Sequence, residues 1–265
     1  MHIEVPDRER QRRRKNMLPV SVVMVTKNEE KNIREALQSI GSVSEIIVVD
    51  DFSSDKTVEI CRQFTEKVFQ IEWKGYAAQK QKALDLAEGP WVFLLDADER
   101  FTEPLTEEIR RIVTQGSEYA GFFVPRKNYF LGRWIRHGGW WPDCTLRLFR
   151  KETAYVEARK VHEKVIVRGK TGFLENPLEH FTYRTISDYL KKMEVYSTLS
   201  AEELREKGKK SGIMAMCTHS LFTFVKMYFF RLGILDGTHG FVLAVLYSYY
   251  TFLKYLKLWE ASGDQ

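Results

Sequence analysis

The sequence predicts an α/β fold with a mainly parallel sheet covered by helices on both faces, followed by an amphipathic helical segment. Three observations carry this prediction. Short apolar runs rich in β-branched residues alternate with helical periodicity over residues 18–95. Three of those runs stop at polar or acidic clusters. Beyond residue 205 the strand-like runs give way to the 3.6-residue apolar periodicity of helices.

Residues 1–17 carry the run Arg-Glu-Arg-Gln-Arg-Arg-Arg-Lys (8–15), which has no apolar periodicity and reads as a disordered, solvated basic tail. Val20-Ser21-Val22-Val23-Met24-Val25 is the first strand; it ends at Thr26-Lys27-Asn28-Glu29, and a helix follows from Asn32 to Ile40. Glu45 to Val49 is the second strand, stopping at Asp50-Asp51-Phe52-Ser53-Ser54-Asp55, where Ser53 or Ser54 is placed to cap a helix running through Phe64. Lys67 to Ile71 is a third strand, Gly75 to Ala87 a third helix and Trp91 to Leu95 a fourth strand. Strands joined through helices imply right-handed crossovers, so their carboxyl ends share one edge. Ligands of open α/β sheets gather at that edge.

The fourth strand runs directly into Asp96-Ala97-Asp98-Glu99. Carboxylates there suit a hard cation, Mg²⁺ or Mn²⁺, which prefers carboxylate and phosphate oxygens and can hold a diphosphate. The plainer alternative is a turn with first-turn acids of a helix, and the same alternative covers Asp51 or Asp55. It accounts poorly for three clusters at one edge. No Gly-x-Gly-x-x-Gly run follows the first strand and no P-loop is present, which argues against a dinucleotide-binding domain, a P-loop enzyme and a nucleotidyltransferase.

At 265 residues the chain can bury a sizeable core, with residues 18–205 expected as the catalytic domain and 206–265 as the helical segment. Cys61, Cys144 and Cys217 lie far apart, which offers neither a disulfide framework nor a thiolate zinc site. With a charged N-terminus lacking a secretory apolar core, the expectation is a cytoplasmic protein. The net charge is +5, and residues 203–260 hold eight Lys or Arg against four acids among aromatic and aliphatic residues. That mixture favours an anionic membrane surface over nucleic acid as partner.

Val-Val-Met-Val-Thr-Lys-Asn-Glu (22–29), Ile-Val-Val-Asp-Asp-Phe-Ser-Ser-Asp-Lys-Thr (47–57), Gln-Lys-Gln (79–81) and Leu-Asp-Ala-Asp-Glu (95–99), in this order, resemble family-2 glycosyltransferases. The second half resembles one branch, the bacterial enzymes that add glucose to the lipopolysaccharide inner core, through Gly-Gly-Trp-Trp-Pro-Asp (138–143), Leu-Arg-Leu-Phe-Arg (146–150), Val-His-Glu (161–163) and Leu-Asp-Gly-Thr-His-Gly (235–240). The resemblance implies a Rossmann-like GT-A fold, a UDP-sugar donor and inversion by direct displacement. It implies that Asp50 bonds the base, helped by Thr26, Asn28 and Glu29; that Asp96 binds ribose or metal; and that Asp98 coordinates the metal. Lys80 would contact nucleotide or diphosphate, whereas Gln81 departs from the Asn usual there.

The acceptor hydroxyl must lose a proton as it attacks, which calls for a carboxylate from another segment. Glu163 is the first choice and Asp143 the second; the alternative for Glu163 is a solvated strand residue paired with Lys164 or Arg159. Arg147, between Leu146 and Leu148, is an internal arginine that needs an anion, which assigns it to diphosphate or base-loop support. Trp140 and Trp141 are either an acceptor-sugar platform or a core pair. His137, His162 and His180 form no cluster and read as satisfied polar groups rather than metal ligands.

Leu221, Phe224, Val225, Tyr228, Phe229 and Leu232 fall on one helical face, with Ser220, Thr223, Lys226 and Arg231 largely opposite. A second helix, Phe241 to Trp259, carries Ser248, Thr251, Lys254 and Lys257 on a narrow polar strip. Its uninterrupted apolar part is shorter than the ~20 residues that cross a bilayer, so the segment is expected to lie in the membrane interface or to pack as a cap. Together these features predict a metal-dependent inverting enzyme, peripheral to the inner leaflet, that transfers a hexose, glucose first, from a UDP-sugar to a glycolipid such as lipopolysaccharide core. The alternatives are transfer to another cell-surface polysaccharide or lipid carrier, and a catalytically silent membrane-associated scaffold. Oligomeric state is not legible.

Overall fold

In the computed structural model, which describes residues 17–157 and 164–262, the first apolar run is strand β1 (Leu18–Thr26) and the helix after its polar loop is α1 (Ile33–Ile40). Strand β2 (Val43–Asp50), helix α2 (Thr57–Cys61), strand β3 (Val68–Gln70), helix α3 (Tyr76–Leu86) and strand β4 (Trp91–Leu94) complete the expected alternation. The short strand β5 (Glu99–Arg100) and helix α4 (Glu103–Gln115) follow. The described residues divide into two compact units, one of 17–125, 144–157 and 164–179, the other of 126–143 and 180–262. The sixteen residues 1–16, which hold the basic run, lie outside the described residues.

In the first unit β2 and β4 flank β1, both parallel to it, and β3 lies parallel on β2. Thr26 is level with Asp50, so the first two polar clusters leave the sheet together. Beyond β4 the pairing changes hand. Strand β8 (Asp143–Arg150) runs antiparallel to β4, and β6 (Gly121–Phe130) lies next to β8. Strand β11 (Thr171–Phe173) is parallel to β6, while β9 (Ala154–Glu157) and β10 (Lys164–Val167) form a separate antiparallel pair.

The period of two in a strand sends alternate side chains to opposite faces. Val20, Val22, Met24 and Phe93 bury against Ile33, Leu37, Leu105 and Ile109 of α1 and α4. Val23, Ile47, Val49 and Leu94 bury on the other face against Ala83 and Leu84 of α3. Each such fully buried aliphatic side chain contributes about 1.5–3 kcal/mol, and both faces are dry, as a parallel sheet requires.

The α4 helix starts with Thr102, whose hydroxyl accepts from Leu105 N–H, and buries Glu108 on its inner side. The Glu108 carboxylate accepts from the backbone N–H groups of Glu175 and Asn176 and from Asn176 Nδ2, each at 2.9 Å. Glu108→Ala is expected to destabilise the protein by about 2 kcal/mol, because buried donors lose their acceptor. A urea midpoint within error of wild type would contradict this.

In the second unit β6 turns into β7 (Arg133–Trp134) through Leu131 and Gly132, both at positive φ, as a two-residue hairpin loop of matching twist demands. Helix α5 (Ile186–Glu206) opens with a reciprocal Thr185–Asp188 capping box. Helix α6 (Ile213–Val225) continues through a π-helical turn (Lys226–Phe230), and a 3-10 turn (Gly233–Asp236) leads into α7 (Gly237–Ala261). The core of this unit joins Phe130, Ile135, Trp140, Tyr189, Met193, Met227 and Leu243. Helix α5 belongs to this unit, with Tyr189 and Met193 buried in the same core as Phe130, Met227 and Leu243.

Candidate active site

The loops leaving β1 and β2 are bonded to each other rather than open. Asn28 stands at φ 54°, a left-handed conformation that Asn tolerates better than most residues. Its N–H donates to Ser53 Oγ at 2.8 Å, and its Oδ1 accepts from Ser54 N–H at 2.8 Å. Glu29 N–H donates to Thr57 Oγ1 at 2.8 Å, and the Glu29 carboxylate accepts from Asn32 Nδ2. Burial works to raise the Asp55 carboxyl, and bonds from Thr57 and from Glu30 N–H overcome it, holding Asp55 below the ordinary carboxylate value. Ser53 and Ser54 are thus spent on Asn28 and Asp50, and α2 begins later than expected with no side-chain cap.

Asp50 is fully buried. It accepts from Thr26 Oγ1 at 3.2 Å and from both N–H and Oγ of Ser53. These bonds tie Asp50 to the loops that leave β1 and β2. Asp51 is likewise buried and pairs with Lys27. The exposed side chain of this loop is Phe52, at φ 44° and 60% accessible. Sequence reasoning passed over it, although an aromatic at a strand end amid Asp and Ser was the available signal.

At the end of β4 the Asp-x-Asp loop is held from below. Arg147 on β8 is buried, and its guanidinium donates to Asp96 Oδ2 and, at 2.5 Å, to Glu99 Oε1. Glu99 is fully buried, and its other oxygen accepts from Asp96 N–H at 3.1 Å. Burial alone would lower the Arg147 pKa, and the facing charges of Asp96 and Glu99 more than reverse this, so the guanidinium stays charged. Arg100 adds a second brace, donating to the carbonyls of Ala97, Glu99 and Asn32 at 2.9 Å and to Glu35 at 3.1 Å. Arg147 therefore braces the Asp-x-Asp loop. Glu99 and Arg100 were not expected in the site, because their partners lie far along the sequence.

This arrangement leaves Asp96 partly exposed, at 37%, with Asp98 also partly exposed beside it. Among the described residues no group of three or more His, Cys, Asp or Glu side chains stands ready to enclose a metal. The donor set nevertheless fits a Mg²⁺-like ion, which takes one or two carboxylates and completes its sphere with phosphate and water. Lys80 is partly exposed on α3. Its neighbours are structural: Gln79 Nε2 donates to the carbonyls of Ile71 and Glu72, and Gln81 accepts from Val156 N–H at 2.8 Å, tying α3 to β9. The departure at Gln81 thus serves packing. A hollow of about 700 Å³ lined by Pro19, Ser44, Glu45, Lys67 and Glu88 lies at the amino ends of the strands, away from these carboxylates.

In the second unit Asp143 accepts from Arg126 at 2.6 Å and from Asn128 Nδ2 at 2.9 Å, and Asn128 Oδ1 meets His180 Nδ1 at 2.6 Å. His137 Nδ1 meets Asp236 Oδ1 at 3.3 Å, so His137 and His180 each have a polar partner. Trp140 is buried edge-on against Phe130 and Tyr247, and Trp141 packs edge-on against Trp134. Glu163 and His162 lie outside the described residues.

Residues 21–180 match the model of the family described as Glycosyl transferase family 2. The lipopolysaccharide core biosynthesis glycosyltransferase LpsC of Rhizobium meliloti is 30% identical over 256 residues, covering 92% of this chain and 93% of its own length. A glycosyltransferase of Rickettsia typhi is 29% identical over 258 residues, covering 93% of this chain and 88% of its own. In structure, residues 1–349 of Staphylococcus aureus TarS, solved in complex with UDP-GlcNAc, match at a TM-score of 0.50 and 18% identity over 92% of this chain and 91% of that one. That likeness concerns the fold, which is of the GT-A kind.

Proposed function

The chain belongs to glycosyl transferase family 2, and from that premise we propose that it is a metal-dependent, inverting enzyme moving a hexose, glucose first, from a UDP-sugar to a glycolipid acceptor such as lipopolysaccharide core. The observation that carries this reading is the Asp96–Asp98 pair at the carboxyl edge of the sheet, fixed from below by Arg147 and Glu99. Preorganised charge at the place where a leaving group develops charge is the largest single contribution to many catalysed reactions. The relationship to LpsC over nearly the whole chain supports the acceptor class.

Asp98, with Asp96 alongside, would hold a divalent ion, which would supply Lewis-acid stabilisation of the departing diphosphate. Arg147 keeps Asp96 turned toward that place. The bonded loops of Thr26, Asn28 and Glu29 frame the nucleotide, and Lys80 neutralises phosphate charge. The acceptor oxygen attacks the anomeric carbon opposite the leaving group as Glu163 takes its proton, which inverts the configuration there. The protein would work at the inner leaflet of the cytoplasmic membrane, where lipid-linked acceptors are exposed.

Glu163→Gln is expected to bind donor with unchanged affinity while transfer falls by about 10²–10⁴-fold, the usual worth of a general base. Calorimetry of UDP binding beside a transfer assay separates the two effects. Unchanged transfer would move the role to Asp143, and Asp143→Asn would then show the loss instead.

A further inference from the structure

The inner side of α6 and α7 is apolar, with Met227, Leu243 and Ala244 in the core of the unit, and part of the contact between the two helices is a hydroxyl seam. Ser248 Oγ donates to the Ser220 carbonyl at 2.9 Å, and Thr223 Oγ1 meets Thr251 Oγ1 at 3.2 Å. Ser220 and Thr251 are buried. Turned outward are Ile213, Met214, Leu221, Phe222, Phe230 and Leu235, which are 59–81% exposed. The exposure continues through the 3-10 turn to Phe241 and Val245 at the start of α7. In water so many exposed large apolar side chains on one element are unfavourable. In lipid, where exposed apolar side chains cost nothing, helices meet through small and hydroxyl residues.

Ile213–Phe230 is long and apolar enough to cross a membrane by length and composition, and 17% of it is buried. The charges limit its depth. Lys210 and Lys226 are 16 residues apart, roughly 24 Å of helix at most, against a hydrocarbon core of about 30 Å. From residue 209 to the end of α7 the basic side chains are Lys209, Lys210, Lys226, Arg231, Lys254 and Lys257, the last paired with Glu194; the acids are Asp236, buried and bonded to the N–H of His137, and Glu260 in the last turn of α7. The net exposed charge of this element is therefore positive. It complements anionic headgroups and disfavours a second copy of the same face.

We infer that the α6–α7 hairpin is seated in the acyl region of one leaflet of an anionic membrane, with its hydroxyl seam inside the pair and its lysines at the headgroups. The inference rests on the glycolipid-acceptor reading and adds to it the element that anchors the protein where such acceptors lie.

The chain carries its own reporter. Cys217 is exposed on α6, Cys144 is exposed on β8 in the other unit, and Cys61 is buried with its thiol pushed up to about 12 by that burial. Full-length protein is treated with a membrane-impermeant maleimide, with and without phosphatidylglycerol-containing vesicles, and the labelled peptides are quantified by mass spectrometry. Maleimide needs a hydrated thiolate, so vesicles are expected to slow Cys217 by about tenfold or more and to leave Cys144 within about twofold. Leu221→Glu with Phe230→Glu is expected to restore Cys217 labelling in the presence of vesicles. Equal rates with and without vesicles would overturn the inference. So would Cys217 protection that rises with protein concentration in the absence of lipid, which would assign the face to a second copy. Donor hydrolysis, measured on the same samples, fails or survives independently of the labelling and reports on the catalytic reading alone.

Discussion

Arg147→Met is expected to destabilise the protein by about 3–5 kcal/mol, the cost of leaving a buried partner charge uncompensated. Arg147 and Glu99 are both withdrawn from water, and Asp96 shares the same guanidinium. Removing the cation leaves the two carboxylates without the guanidinium they share. Against a typical stability of about 5–15 kcal/mol this is a large fraction, and a urea midpoint resolves it easily. The paired change Arg147→Met with Glu99→Leu is expected to recover most of that loss, because a buried ion pair replaced by well-packed apolar groups is often neutral. It is not expected to recover transfer. Restored stability without restored turnover is the signature of a brace that positions Asp96. Restored turnover would show that the fixed Asp96 geometry is dispensable.

Asp98→Ala is expected to leave the fold nearly unchanged and to reduce transfer by about 10²–10³-fold or more, the scale of removing one group that stabilises developing charge. The side chain is partly exposed, outside both apolar clusters of the sheet, so its removal opens no core cavity. A second readout separates metal loss from general damage. Mn²⁺ binding to the UDP complex, followed by electron paramagnetic resonance, is expected to weaken in Asp98→Ala while UDP binding without metal stays at the wild-type level. Unweakened Mn²⁺ binding would assign the ion to other ligands.

What the sequence made legible follows from range. The first four strands and their helices are written in local apolar runs, and register then brings Thr26 level with Asp50 without further information. The Asp-Asp-Phe-Ser-Ser-Asp loop was misread because Ser53 has two uses open to it, capping its own helix or bonding a loop 25 residues away, and the second wins. Arg147 announced itself as a charge among leucines. Its partners did not, because they lie 51 and 48 residues earlier in the chain. The two tryptophans show the same limit: neighbours in sequence do not reveal whether Trp140 meets solvent or Phe130. In α6 the predicted apolar face divides, with Leu221, Phe229 and Leu232 exposed while Phe224 and Tyr228 pack on the core, because the π-helical turn Lys226–Phe230 interrupts the 3.6-residue period.

The account turns on a single claim, that the Asp96–Asp98 corner holds a metal against the diphosphate of a UDP-hexose. The most direct measurement is turnover of a panel of UDP-hexoses by purified full-length protein, in Mn²⁺ or Mg²⁺ and again in chelator, with the anomeric configuration of the product read by nuclear magnetic resonance. The predicted result is turnover of one hexose, UDP-glucose first, that vanishes in chelator, returns with metal and gives the inverted anomer. Full turnover in chelator, or a product that retains the donor's configuration, would contradict it.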